Sequence, residues 1–187
     1  MELSIFLSVC LGLGLAAACG FRVFVPLLVM SLAARGGYLE LVGSFEWIAA
    51  TPALVMFAVA TVLEIGAYYV PWLDNLLDGV ATPAAAVAGV IVTASVVTGM
   101  DPLLKWPLAV IAGGGIAGAV QATTVAARAG SVLGTGGMAN PLVSSAEAGA
   151  SFGLTVLALV LPLAAAAAVV VLFLVLRRAL RRRRAVG

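Results

Sequence analysis

Ionisable residues inside long apolar stretches are the first candidates for chemistry in this sequence. Arg22 lies well within the first apolar run, in the stretch AACGFRVFVPLLV. A guanidinium stays charged in a protein, and a charge at the centre of a membrane-spanning helix costs at least about 2.5 kcal/mol, so this arginine needs a negatively charged neighbour or water. Gly20 and Pro26 predict a helix break, where the guanidinium and freed backbone amides would bind an anion. Snorkelling to an interface and a structural ion pair are the alternatives.

Two carboxylates are the candidate internal partners of Arg22. Glu64 lies towards the end of a predicted span, and Glu147 stands among small residues in SSAEAG. For both, the alternative to a substrate site is a carboxylate at the membrane interface. Asn140, at the start of the last apolar region, completes the predicted substrate-binding set. Arg128 directly follows the fourth predicted span and is interpreted as an interfacial anchor.

Asp74 and Asp78 form a second candidate site, for a cation or a proton. They are spaced i, i+4, which places them on one face of a helix. The alternative is a solvated polar face on a short amphipathic helix that lies in the interface.

Other residue types narrow the chemistry. The chain has no histidine, which excludes histidine-ligated zinc and histidine-activated nucleophiles. Cys10 and Cys19 both lie in the first apolar run, and they do not suggest a disulfide framework. We therefore predict no metal, no cofactor and no enzymatic activity.

A glycine-rich stretch, AGGGIAGA, lies in a predicted span. It formally contains G-x-G-x-x-G, but no strand precedes it and no acidic residue follows at the spacing of a dinucleotide site. Gly114 and Gly118 instead form a small-xxx-small pattern, which predicts close helix packing.

The composition is that of an integral membrane protein. Of 187 residues, 64% are hydrophobic and 10% are charged, against roughly 25% charged in soluble domains. The basic residues are concentrated in one terminal run, so the positive-inside rule predicts a multi-pass protein of the cell membrane with a cytoplasmic C-terminus. The predicted partners are the lipid bilayer, an anionic ligand and further copies of the chain in a homo-oligomer, and not nucleic acid. The run comprises Arg177, Arg178, Arg181, Arg182, Arg183 and Arg184.

Charges, prolines and glycine clusters divide the chain into an all-α helix bundle with broken or re-entrant helices. One transmembrane domain, residues 1–176, precedes a basic cytoplasmic tail, residues 177–187. Five spans would put the N-terminus outside, and six would put it inside. The predicted segments are Leu3 to Ala34 with an interruption at Cys19-Gly20, 52–70, an amphipathic piece over 71–83, 83–98, 107–127, and 140–176 with an interruption around 144–149.

An internal repeat is predicted over residues 47–99 and 106–160. Each unit opens with a tryptophan and reaches the motif G-x-A-[TN]-P at matched spacing. Chance similarity between apolar segments is the alternative. Binding sites in repeated membrane folds often lie at broken helices where the halves meet.

Three stretches carry a resemblance to a known family. They are AACGFRVFVPLLVMSLAARGG, LEIGAYYVPWLDNLLDGVATPAAAVAG and GGMANPLVSSAEAG. Together they resemble a family of small bacterial membrane proteins catalogued as domain of unknown function 4126. The resemblance covers about Leu11 to Val160 and leaves the basic tail as a variable appendage. It implies a multi-span protein of similar length and carries over no catalytic or binding residue.

These features predict a small transporter or channel-like permease for an anionic solute or a lipid headgroup. Arg22 would bind the anion, and a carboxylate would serve for proton coupling. The alternative is a non-enzymatic membrane scaffold or partner-binding subunit, in which the charges are structural and Gly114 and Gly118 mediate assembly. An intramembrane enzyme acting on lipid is a third hypothesis, against which the missing histidine argues.

Overall fold

The computed structural model describes residues 2–67, 71–136 and 138–184, and within them it omits the side chains of 71–78, 179–180 and 182–184. Within these ranges the regular secondary structure is helical, with no strand, which confirms the predicted all-α class. A 3-10 helix precedes α3, and a π-helical segment joins α5 to α6. The elements are α1 (Glu2–Phe21), α2 (Phe24–Arg35), the 3-10 helix (Gly43–Ala49), α3 (Thr51–Ala67), α4 (Pro71–Val96), α5 (Pro102–Leu108), the π-helical segment (Ala109–Gly114), α6 (Gly115–Thr135), α7 (Asn140–Val160) and α8 (Pro162–Arg184).

Within the described ranges, four helical segments are long and apolar enough to cross a membrane. A fifth results if the 3-10 helix and α3 are counted as one span bent by 59°. The described residues therefore offer four or five candidate spans, where the sequence predicted five to six. The four are Glu2–Phe21, Gly79–Val96, Pro102–Thr135 and Asn140–Val160.

The first apolar run divides into two helices, whereas the sequence allowed either one kinked helix or two helical pieces, and the break lies slightly later than predicted. α1 ends at Phe21 and α2 begins at Phe24, whereas the prediction placed the interruption at Cys19-Gly20. Gly20 instead remains helical and serves close packing: a Cβ added to it would lie 2.5 Å from the Cβ of Val120 on α6.

α2 turns back alongside α1. After α2 ends, the N–H of Val42 donates to the carbonyl of Ser95 on α4 at 2.8 Å. Two residues before Ser95, the hydroxyl of Thr93 lies 3.2 Å from the carbonyl oxygen of Gly12, in the first half of α1. The chain therefore reverses direction at the α1–α2 break and returns towards the end of the bundle where α1 starts.

α4 is longer than predicted. It runs without a break from Pro71 to Val96 and contains Pro83 in its interior. The predicted break between an amphipathic piece and the third span, over 71–83, is wrong. Proline in a membrane-type helix is tolerated where neighbouring helices satisfy the backbone group that it frees.

α6 also passes its predicted end. The prediction ended this span at Ala127, but α6 continues to Thr135 and stops at Gly136, whose φ of 62° is left-handed. Glycine adopts this conformation without the steric cost of a side chain, which makes it a common helix terminator. Arg128 consequently lies inside a helix.

The last apolar region breaks at a different place from the prediction. α7 is regular through residues 144–149, where an interruption was predicted, and it ends at Val160. The break falls at Leu161, whose backbone (φ −136°, ψ 74°) is not helical, immediately before Pro162. Proline disfavours the α conformation in the residue that precedes it, which explains the break.

α1 lies at the centre of the bundle, in contact with α4, α6, α7 and α8. A Cβ added to Gly14 would lie 2.9 Å from the Cβ atoms of both Ala158 on α7 and Ala165 on α8. Further along, Ala17 packs in one cluster with Val169 of α8. α8 therefore runs parallel to α1, and its arginine-rich end lies at the same end of the bundle as the α1–α2 break.

α4 and the π-helical segment that leads into α6 approach each other through glycines. A Cβ added to Gly89 would lie 2.6 Å from the carbonyl oxygen of Gly113, so the two backbones are almost in contact. Gly114 packs on the side chain of Val90 in the same way, with 2.9 Å to an added Cβ. At Gly118 the nearest atom would be 3.8 Å away, which is an ordinary contact.

The internal repeat stays a prediction. Its two motifs occupy different structural positions, because Thr82-Pro83 lies inside α4 while Asn140-Pro141 begins α7.

Candidate functional site

Arg22 is buried in protein at the reversal between α1 and α2, with an exposed fraction of 1%. Its Nη2 donates to the hydroxyl oxygen of Ser144 at 2.6 Å and to the carbonyl oxygen of Ser144 at 3.0 Å. The same nitrogen lies 3.2 Å from Oε2 of Glu147. Both partners belong to α7, so this arginine does not snorkel towards a membrane surface.

A second arginine binds the same carboxylate. Nε of Arg128, on α6, lies 3.2 Å from each carboxylate oxygen of Glu147, and its Nη2 also donates to Oε2. Arg128 is 2% exposed and Glu147 is 6% exposed. Two guanidinium groups, one from the α1–α2 break and one from α6, thus share one carboxylate in a site from which bulk water is excluded.

Glu64 closes the helix break. Its Oε1 accepts a hydrogen bond from the N–H of Val23 at 2.7 Å, and its Oε2 accepts one from the N–H of Phe24 at 3.1 Å. These amides open α2, where N–H groups lack acceptors within the helix and the helix dipole favours a negative charge. The sequence predicted that the freed amides would bind an anion together with Arg22. In the structure the carboxylate of α3 occupies them.

Glu64 also interacts electrostatically with both arginines across the site. We call these four residues, Arg22, Glu64, Arg128 and Glu147, the charge cluster. Their formal charges sum to zero when all four are ionised.

α7 presents a polar face to the interior of the bundle. The hydroxyl of Ser151 donates to the carbonyl of Ala18 on α1 at 2.9 Å, and the hydroxyl of Thr155 donates to the carbonyl of Ser151 at 2.7 Å. Asn140, the last member of the predicted substrate-binding set, is buried one helical turn before Ser144. The buried polar residues of α7 are Asn140, Ser144, Glu147, Ser151 and Thr155.

Residues 9–182 match the family described as Domain of unknown function (DUF4126). The chain belongs to this family. The match covers the whole charge cluster, and it extends past Val160 into the basic run, which the sequence resemblance had treated as an appendage. Neither a curated protein nor a solved structure matches the chain significantly.

Arg128 is the residue of this DUF4126 member that sequence reasoning misread. Because the fourth span was predicted to end at Ala127, Arg128 was interpreted as an interfacial anchor. The sequence does indicate that Arg128 is buried, because the spacing of Gln121, Thr124 and Arg128 places three polar residues on one helix face. All three are buried.

Gln121 is the other residue of interest on this face of α6. It is 1% exposed, and its Nε2 has no hydrogen-bond partner within the described part of the chain. It follows Val120, which packs against Gly20, so it lies near the end of α1. The backbone carbonyl of Gln121 accepts a hydrogen bond from the hydroxyl of Thr124 at 2.9 Å.

The second predicted site cannot be placed in the same way. Asp74 and Asp78 lie on the helical backbone of α4, but their side chains fall outside the described residues. Cys10 and Cys19 are buried free thiols. Over the ranges that the structure describes, no group of three or more acidic or cysteine side chains could hold a metal ion.

Proposed function

We propose that this DUF4126 protein is a small multi-pass permease for an anionic solute or a lipid headgroup. The observation that carries the proposal is the burial of two guanidinium groups around one carboxylate at the α1–α2 reversal. Ionisable residues within membrane segments are costly and commonly mark substrate or ion pathways. Replacing a buried ion pair with apolar residues is often neutral or stabilising, so the bundle does not need such a cluster for stability alone.

The polar face of α7 supports the same proposal. Ser151 and Thr155 continue it along α1, away from the charge cluster, so hydroxyl and carbonyl groups occur at successive depths. A solute that leaves Arg22 would meet hydrogen-bonding groups along this route.

We place the permease in the cell membrane with the arginine-rich end of α8 in the cytoplasm. Because α8 runs parallel to α1, the charge cluster then lies towards the cytoplasmic end of the bundle. The start of α1 at Glu2 lies on the opposite side, which is the orientation expected for an odd number of crossings.

Flux measurements on reconstituted protein test the proposal. Wild-type protein in liposomes should move labelled acetate, phosphate or a fluorescent anionic phospholipid faster than protein-free liposomes do. Arg22→Lys keeps the charge but lacks the planar fork that binds oxyanions, so we expect flux to fall at least about tenfold. Lys105→Arg, a cation exchange at a partly buried position of α5, is the matched control and should leave flux unchanged. Wild-type flux equal to the protein-free rate, or normal flux in Arg22→Lys, would overturn the proposal.

A membrane scaffold or partner-binding subunit is the second candidate. It is favoured by the fact that protein groups bind both arginines and that backbone amides bind Glu64. Such a protein would show no flux in any variant. The stability lost in Arg22→Ala would be partly recovered in the Arg22→Ala/Glu147→Ala double variant, and a double-mutant cycle measures that coupling.

A further inference from the structure

We propose that Glu147 is a tethered competitor of the transported anion. Its carboxylate occupies the position on Arg22 and Arg128 that a monovalent oxyanion takes when it binds. The inference rests on the proposed function, because it assigns the substrate class and the coupling of the same site.

The geometry distinguishes the two carboxylates of the charge cluster. Glu64 binds the backbone N–H groups of Val23 and Phe24, which are fixed at the start of α2. Glu147 binds the guanidinium groups of two long side chains, the groups best suited to exchange one oxyanion for another. Glu147 is therefore the carboxylate that a ligand can replace.

Charge balance selects the ligand. The four ionised groups sum to zero, and an uncompensated charge is expensive in a buried site. A ligand that replaces one carboxylate must itself carry one negative charge. The fitting class is a carboxylate or a phosphate bearing a single charge, from a free solute or from the phosphodiester of a lipid headgroup.

The same charge balance couples the binding of the oxyanion to the uptake of a proton. When the oxyanion takes over both arginines, the charge cluster with its ligand carries one uncompensated negative charge in a buried site unless it takes up a proton. The groups that face Glu147 are Arg22 at the α1–α2 break, Arg128 on α6 and, through these arginines, Glu64 on α3, with the buried thiol of Cys19 near Glu64. The arginines do not titrate, so the carboxylates of the charge cluster together take up one proton for each oxyanion that enters.

Gln121 provides an independent observation in favour of a ligand. Its Nε2 is a buried donor for which the described residues provide no acceptor, on the same face of α6 as Arg128. Leaving a buried donor unsatisfied is costly. Because the carboxylate of Glu147 does not hydrogen-bond to Nε2, the acceptor would be an additional oxygen of a larger oxyanion such as a phosphate.

The test removes the tethered carboxylate and offers a free one. Glu147→Ala, purified in uncharged maltoside micelles, is titrated with formate and with formamide, a neutral molecule of the same shape. We expect formate to bind at least about tenfold more tightly than it binds wild-type protein, because the internal competitor is gone, and formamide not to bind. Glu46→Ala, which removes an exposed carboxylate, is the control and should match wild-type affinity.

Two results would overturn the inference: equal formate affinity in Glu147→Ala and wild-type protein, or equal stabilisation of the variant by formamide and formate. If Glu147→Ala does not fold, Glu147→Gln is titrated in its place.

A second experiment counts the protons that accompany binding. It uses calorimetry of formate binding to wild-type protein in two buffers of different ionisation enthalpy. One proton taken up per formate supports the inference, and none overturns it.

Adding phosphatidylglycerol to the micelles distinguishes the two sources of the oxyanion. If the lipid headgroup is the natural ligand, the lipid abolishes formate binding to the variant. If a free solute is the ligand, formate binding is unchanged.

Failure of the tethered-competitor inference can be distinguished from failure of the permease proposal. If wild-type protein moves anions but Glu147→Ala gains no formate affinity, transport stands and the tethered competitor is wrong. If the variant gains affinity but wild-type protein moves nothing in liposomes, the anion site stands and transport is wrong.

Discussion

Two regions of this bundle are held together in opposite ways. Where α4 crosses the π-helical segment before α6, Gly89 and Gly113 bring two backbones almost into contact. At the end where α1 reverses into α2, charged side chains fill the space between helices, and Arg22 and Arg128 converge on Glu147. The first region depends on small side chains, and the second depends on charge and hydrogen-bond direction.

The difference indicates which region is free to carry function. A crossing made of backbone contact has one low-energy arrangement, because packed interiors respond poorly to added volume. A cluster of long charged side chains can change partners while its helices stay in place, provided that the charges remain balanced. Substitutions matched to each region test this contrast.

The largest expected effect is in the charge cluster. Arg128→Ala removes a guanidinium that binds both oxygens of Glu147 and should destabilise the fold by about 3–5 kcal/mol, the cost of breaking a buried ion pair. Reversible unfolding in mixed detergent micelles measures the change. Arg128→Lys keeps the charge and should lose less. Wild-type stability in Arg128→Ala would mean that the cluster contributes nothing to the fold.

The glycine crossing should respond to volume alone. In Gly113→Ala the added Cβ would lie 2.4 Å from Oγ1 of Thr93 and 2.6 Å from the carbonyl oxygen of Gly89, so the helices must separate. We expect a loss of about 1–3 kcal/mol in the same unfolding assay. Gly115→Ala is the matched control, because no described heavy atom lies within 4 Å of its added Cβ. If Gly113→Ala is as stable as Gly115→Ala, close backbone contact does not hold this crossing.

The same contrast explains how much of each region could be predicted from the sequence. A charge inside an apolar run needs a partner wherever the helices lie, so Arg22 and Glu147 could be singled out from the sequence. The break beside Arg22 was predicted within a few residues, because glycine and proline bracket it. The glycine crossing was only half visible: Gly114 was identified, but Gly89, on another helix, has no distinguishing neighbour in the sequence.

The boundaries of helices were the main source of error. Arg128 was placed at an interface because the span before it already had the length of a membrane crossing, yet α6 continues to Thr135. Pro83 was taken as a helix boundary, although it lies inside α4. Both errors arise because packing against other helices decides where a helix ends, and a single sequence does not reveal that packing.

A subtler substitution separates charge from hydrogen bonding within the cluster. Ser144→Ala removes the hydroxyl that accepts from Arg22 at 2.6 Å but keeps the backbone carbonyl bond. We expect a loss of about 1.5–3 kcal/mol, typical of a hydrogen bond to a charged group. Ser145→Ala, at an exposed neighbouring position, should change stability by less than about 0.5 kcal/mol. Equal effects of the two variants would show that the serine hydroxyl does not hold Arg22.

The smallest effect on stability is expected at Gln121, a buried residue on the same face of α6 as Arg128. Gln121→Leu removes the buried Nε2 donor and keeps a similar volume, so stability should stay unchanged or rise by up to about 1 kcal/mol. The affinity of the Glu147→Ala background for dimethyl phosphate should fall, because a donor for an additional oxygen of this larger oxyanion is lost. Thr123→Ala, on a less buried face of α6, is the control for both measurements. A stability loss of more than about 1 kcal/mol in Gln121→Leu would assign this glutamine to the structural packing of α6 rather than to the anion site, because only a donor already in use is costly to remove.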